Sequence, residues 1–281
     1  MSDMPLEIAK TSAAGKLIEK ISDGVGWCFT HETPKKVAVK SLIEMIQGES
    51  NLSPLEKAAM IAESKKIVKE FRNQRDVVAL AMEKLTEQAR PDEVDDDWIA
   101  SLMDRVRLVN SDDLKQIWGH ILAEECNDPG KIPKVLLRIL SDTDRKIAQD
   151  FSKLCAYTIQ ISDVIEHPQP IVFIDEDKPF ISNTGLSFDD ISNLESLGLI
   201  KFDIAGGYNY TFRTRKPSIS YFSKHYFFPD IGEQYRIKTG SVILTRAGEA
   251  LFPAIAPTEI PNFMEAVVFP FIGVTLQKVS P

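Results

Sequence analysis

The 281-residue sequence is poor in the residue types that build covalent or metal-based chemistry. Its three cysteines, Cys28, Cys126 and Cys155, are scattered. They are too few for a disulfide framework, and no CxxC or Cys/His pair stands at zinc-ligand spacing. That usage fits a reducing, cytoplasmic compartment. The four histidines, His31, His120, His167 and His225, are equally dispersed. GxSxG, GxxxxGK[ST] and GxGxxG are all missing, which removes the motif-level case for a serine hydrolase, a P-loop or a dinucleotide fold. Long apolar runs are also lacking. "MSDMPLEIAKTSAAGK" has no signal core. "AVVFPFIGVTL" is interrupted by Pro270 and falls well short of the roughly 20 residues that span a bilayer. A net charge of −8 argues against broad nonspecific binding to nucleic acid or anionic membranes, while leaving a local basic patch open.

What is present is the composition of a globular protein, 43% hydrophobic and 26% charged, enough for a substantial core. The first 160 residues predict helix after helix. "SPLEKAAMIAESKKIVKEFRNQRDVVALAMEKLTEQ" is the longest run. Ser53 and Glu56 form a capping-box pattern, Pro54 suits the first turn, and no Gly or Pro interrupts it up to Gln88. A helix of that length extends about 50 Å and should pack on several neighbours or build an oligomer. Helices are also expected from Asp96 to about Val109, from Asp112 to about Cys126, from Pro133, and after a cap at Ser141 or Asp142.

After residue 160 the texture changes to short β-runs. "GLSFDDISNLESLGLI" predicts a compact helix capped by Ser187 and stopped at Gly198. Gly206-Gly207 signals a hairpin, "YRIKTGSVILT" a further strand pair, and "RAGEALFPAI" a final helix. That order suggests a winged-helix-like module. The expected architecture is mainly α, with a small winged-helix-like α+β domain at the C-terminus. Three regions follow: 1–90 with the long helix, 91–160 with a pair of helices each carrying a tryptophan, and 161–281 as the α+β domain.

Within the middle region, "DDLKQIWGHILAEE" gathers Trp, His and four carboxylates. Plotted as a helix, Leu114, Ile117, Trp118, Ile121 and Leu122 form one stripe. Asp112 and Asp113 suit the first turn, and His120 with Glu124 forms a solvated polar face. Trp98, Ile99, Leu102, Met103 and Val106 line the preceding helix. The two helices are therefore expected to pair with Trp98 and Trp118 at their seam. Glu125 falls inside the apolar stripe and needs a partner. Arg138 is the preferred one, Arg105 the alternative.

The segment "DDDWIASLMDRVRLVNSDDLKQIWGHILAEECNDPGKIPKVLLRIL" resembles the bacterial domain of unknown function 2806. The matching residues are Asp97-Trp98-Ile99, Trp118, Leu122-Ala123, Glu125, Pro129-Gly130 and Arg138. The likeness runs more loosely to about residue 255. Glu124 departs from it, standing where a glycine is usual. The resemblance implies no assigned activity, and its setting points to bacterial stress or phage defence.

The chemistry that remains is sparse. His120 and Glu124 lie four apart on one helix but lack further ligands. Asp95-Asp96-Asp97 and Asp175-Glu176-Asp177 read as caps and solvated loops. No cofactor and no metal is expected. Between 201 and 240, seven basic residues stand against three acidic ones, interleaved with aromatics. Arg213, Arg215 and Lys216 are the candidate nucleic-acid contacts there. The expected role is a non-enzymatic interaction or regulatory protein, pairing with itself or a protein partner and spanning no membrane. The alternatives are a nucleic-acid binder using the C-terminal wing and a metal-dependent hydrolase.

Overall fold

The computed structural model describes residues 12–26, 36–164, 166–172, 185–232, 234–272 and 277–279. Contacts divide the chain into two units, Met1–Leu137 and Arg138–Pro281. No boundary falls near residue 90. The cause is the long helix, which packs directly on the helix that follows the expected boundary.

In the first unit, α1 (Ala13–Val25) starts at Ser12, whose hydroxyl accepts from the Gly15 N–H, and ends at Gly26 with φ 66°. That left-handed turn suits glycine. Leu17 and Ile21 are fully buried. α2 (Lys36–Gly48) leads to α3 (Pro54–Met82), which opens on the expected Ser53–Glu56 capping box. α3 stops at Met82 rather than Gln88, and the reason is tertiary. The Thr86 N–H and hydroxyl both donate to Asn127 Oδ1, and the Asn127 amide donates to the Lys84 carbonyl. The segment's polar groups are thereby drawn away from helical bonding.

α4 (Asp96–Val106) is capped by Asp95, which accepts from the Trp98 N–H. α5 (Asp112–Asn127) follows. Trp98 and Trp118 are both buried, and the Trp98 indole N–H donates to the Ile132 carbonyl at 3.2 Å. The expected α4–α5 pairing is a minor contact, however. α5 packs chiefly on α3. Gly119 makes this approach feasible, since a Cβ there would sit 2.7 Å from Leu80 Cβ. At the same seam the buried Lys115 ammonium donates to Asp76 at 2.8 Å. Burial disfavours the Asp76 charge, but Lys115 and Arg75 outweigh it and lower the pKa.

α6 (Lys134–Asp142) carries the division between the units. α7 (Arg145–Ala156) is capped by Asp144, not by Ser141 or Asp142, because α6 runs through both of those residues. The strands are β1 (Thr158–Ser162), β2 (Glu166–Pro170), β3 (Ile200–Phe202), β4 (Tyr208–Thr211), β5 (Ser218–Tyr221), β6 (Lys224–Phe227), β7 (Arg236–Gly240), β8 (Val242–Leu244) and β9 (Gln277–Val279). Between them lie α8 (Phe188–Ser196), with its Ser187–Asp190 capping box, and α9 (Arg246–Leu251). α10 (Phe269–Ile272) precedes β9. One antiparallel sheet has the order β2-β1-β5-β6-β9.

The remaining strands differ from the expected hairpins. β3 pairs with β8 and β4 with β7. They form one long interrupted ribbon rather than two local hairpins. Gly206-Gly207 therefore lies in the link between β3 and β4, not at a two-residue turn. Gly207 has φ 61°, and a Cβ there would meet the Gly240 carbonyl oxygen at 2.9 Å. Close approach, not a two-residue turn, requires the glycine. Among the described residues no helix is long and apolar enough to cross a membrane.

Candidate ligand-binding cleft

A cleft of about 810 Å³ opens in the second unit. The turn from β1 to β2 supplies Asp163, and β2 itself Glu166 and His167; β4 and its exit supply Asn209, Tyr210 and Arg213; Gln234 and Glu249 of α9 close it. Most of its polar groups hold the walls. Asp163 accepts from the backbone N–H groups of Arg213 and Thr214, each at 2.8 Å, and from the Tyr210 hydroxyl at 3.4 Å. Burial opposes its charge, but these donors prevail and depress its pKa. A carboxylate so engaged is a poor proton acceptor. Tyr210 is pushed up by burial and by the Asp163 charge.

His167 Nδ1 lies 3.3 Å from Glu249 Oε1. Its ring stacks on Tyr210, with centroids 5.9 Å apart. Tyr210 in turn meets the buried Phe212 edge-on at 5.2 Å. Gln234 holds φ 60°, a conformation costing about 1 kcal/mol or more outside glycine. The β2 edge beside the cleft is poor in donors. The Ile171 N–H points to β1, bonding the Tyr157 carbonyl. By the two-residue alternation, residues 166, 168 and 170 face outward, and two of them are prolines. Strand addition at that edge is disfavoured, so recognition there rests on side chains.

The residues singled out from sequence are distributed unevenly. Arg213 lines the cleft, but Arg215 is bound by Asp230 through two hydrogen bonds of 3.0 and 2.9 Å. Lys216 is exposed. The expected trio is therefore no uniform basic patch.

Glu125 is only 2% exposed, and its charge is not met by arginine. Oε1 accepts from the Gly130 N–H and Oε2 from the Ile132 N–H, both at 2.8 Å. Arg138 is exposed, so the expected Glu125–Arg138 ion pair gives way to a loop-capping carboxylate. Burial raises the Glu125 pKa, partly offset by those two N–H groups. His120 and Glu124 are half-buried rather than solvated. Glu124 pairs with Lys131 at 2.5 Å and lies 4.0 Å from His120. Burial pushes the His120 pKa down.

Burial pushes the Cys126 thiol up to about 12 and raises Cys155 as well. Such thiols are unreactive. Among the described residues no three His, Cys, Asp or Glu side chains gather as a metal site. Asp175, Glu176 and Asp177 lie outside the described residues.

Sequence reasoning missed Asp163, His167, Tyr210 and Glu249. No spacing links His167 to Glu249; only the fold brings β2 against α9.

The molecule is thus a mainly helical protein with a small antiparallel-sheet unit that carries a polar, open cleft. The chain belongs to the family described as "Protein of unknown function (DUF2806)", whose model matches residues 62–268. No curated protein and no solved structure matches it.

Proposed function

We propose that this is a non-enzymatic interaction or regulatory protein that recognises a protein partner through the cleft of its second unit and assembles with itself through its long helix. The observation that carries the recognition role is the engagement of the cleft's own groups. Asp163 is consumed by three donors and His167 faces Glu249, which makes a preformed wall rather than a poised acid–base pair. Arg213 and Glu166 supply opposite charges for orienting a polar segment. The setting of bacterial stress or phage defence rests on the family resemblance.

The test is a photo-crosslinking residue at the exposed Asn209 of the full chain, expressed in a bacterial host. A discrete protein adduct is expected, lost when Arg213→Glu and Glu166→Lys reverse the cleft charges. Absence of any protein adduct would overturn the reading.

A second reading is favoured by one observation. The β3/β4–β7/β8 ribbon follows α8 as a wing follows a recognition helix, and Tyr208 and Tyr210 alternate along it. In this winged-helix-like reading the ribbon binds nucleic acid. Salt-dependent binding lost on Arg213→Ala, Arg215→Ala and Lys216→Ala supports it; no binding at low salt removes it. The third reading, a metal-dependent hydrolase, requires acidic residues converging on one cation and is tested by metal titration of the full chain.

A further inference from the structure

We propose that the exposed face of the β4–β7 ribbon docks in the major groove of duplex DNA, with Arg236, Lys238 and Arg213 as its cationic contacts. This rests on the nucleic-acid reading above and replaces the contact set that the sequence suggested for it.

The first observation is register. β4 and β7 form a two-stranded antiparallel pair in which Asn209 stands opposite Lys238 and Thr211 opposite Arg236. Residues directly opposite one another share a face, and successive side chains along a strand alternate between faces. Burial follows that alternation. Asn209, Thr211, Arg236 and Lys238 are all exposed, whereas Ile237 and Thr239 are buried. The Phe212 N–H donates to the Tyr235 carbonyl, so the pairing persists one residue past β4. There Phe212 is buried and Arg213 exposed. The ribbon is thus backed by protein on one side and open on the other.

The second is charge. This face holds three cations and no acid, in a chain whose net charge is −8. Among the described residues no hydrogen bond or ion pair engages the three side chains. Arg215, by contrast, is already held by Asp230. The carboxylates met at the two ends of β4 are occupied by backbone. Asp203 accepts from the Ala205 and Gly206 N–H groups, and Asp163 from those of Arg213 and Thr214. Arg213 shares its cleft with the exposed Glu166. Arg236 and Lys238 lie outside that cleft, so they carry the test.

The third is the mixture of side chains. A face that only neutralised phosphate would need cations alone. Here Asn209 and Thr211 stand directly opposite the cations. Arginine and lysine pair with guanine edges, asparagine with adenine, and threonine meets the thymine methyl. A B-form major groove about 12 Å wide admits a two-stranded ribbon, whereas the deep, narrow major groove of RNA does not. Single strands call for stacking aromatics. The half-buried Tyr210 of β4 points away from this face and stacks on His167.

The test is fluorescence anisotropy of the full chain with labelled mixed-sequence duplex DNA, from low to physiological salt. Salt-dependent binding is expected. The doubly substituted Arg236→Ala, Lys238→Ala chain should bind roughly tenfold or more weakly, with unchanged circular dichroism because both side chains are exposed. Arg215→Ala should keep the parent affinity. Selection from a randomised duplex pool should enrich a short common sequence, and Asn209→Ala should relax it at one position. Binding indifferent to the Arg236 and Lys238 substitutions, a pool without a common sequence, or equal or tighter binding of polyglutamate, single strands or duplex RNA overturns the proposal. Binding lost in an Arg215→Ala, Lys216→Ala chain but kept in the Arg236→Ala, Lys238→Ala chain overturns this face and leaves the nucleic-acid reading standing. No binding to any nucleic acid at low salt removes both.

Discussion

Glu125 shows what a single buried carboxylate does in this fold. Its two oxygens tie down the Gly130 and Ile132 N–H groups of the turn after α5. Glu125→Ala leaves two donors without their acceptor and should cost about 2–3 kcal/mol, read by urea denaturation. Because burial raises its pKa, the folded state holds the Glu125 proton more tightly than the unfolded chain does. Stability from this group therefore falls as pH rises from the ordinary value of 4.5 through the raised one. Glu125→Gln should remove that fall. Asp190 has the opposite sign. Lys146 and the Ser187 cap hold it down at about 2. Its contribution is complete above the ordinary value of 3.8 and is lost as pH falls toward 2. Lys146→Met should flatten that acid limb, only modestly because the ammonium is solvent-exposed, measured as the midpoint of acid unfolding. The need for a partner at Glu125 was legible from its place in the apolar stripe. The kind of partner was not, because backbone N–H groups leave no mark in a side-chain pattern.

At the level of elements, the α3–α5 seam depends on one missing side chain. Gly119→Ala gains helix propensity of about 1 kcal/mol but drives a Cβ to 2.7 Å from Leu80. The net effect should be destabilising by about 1–2 kcal/mol, seen as a lower Tm. The capping boxes at Ser53 and Ser187 and the stop at Gly198 were readable locally, because the residues that make them are three or four apart. The end of α3, the neighbour of α5 and the pairing of β3 with β8 were not. Each depends on groups about 40 residues away in sequence, where periodicity carries no information.

For the whole molecule, self-assembly through α3, as proposed above, would couple folding of the α2–α3 arm to association. Tm should then rise with protein concentration, and the concentration dependence should vanish for the Met60→Lys, Ile67→Lys chain, which charges two exposed apolar positions of α3. Differential scanning fluorimetry over a hundredfold dilution checks this. Hydrogen exchange should place the outer part of α3 among the fast-exchanging segments of the monomeric variant, with Val77–Ala81 slow, since only the inner part is buried.

By itself the sequence determined the helical character of the first half, the Ser53 cap of its longest helix, the change to β-structure after residue 160, and the family. These are set by propensity and by contacts within a turn or two. Only the tertiary structure decided that Glu125 meets backbone rather than arginine, that two apparent hairpins are one ribbon, and that His167, Tyr210, Asp163 and Glu249 share a cleft. Those outcomes come from which surfaces fit when the chain closes on itself. A contact between residues 82 positions apart is selected by packing and by the need to satisfy buried polar groups, not by any local preference.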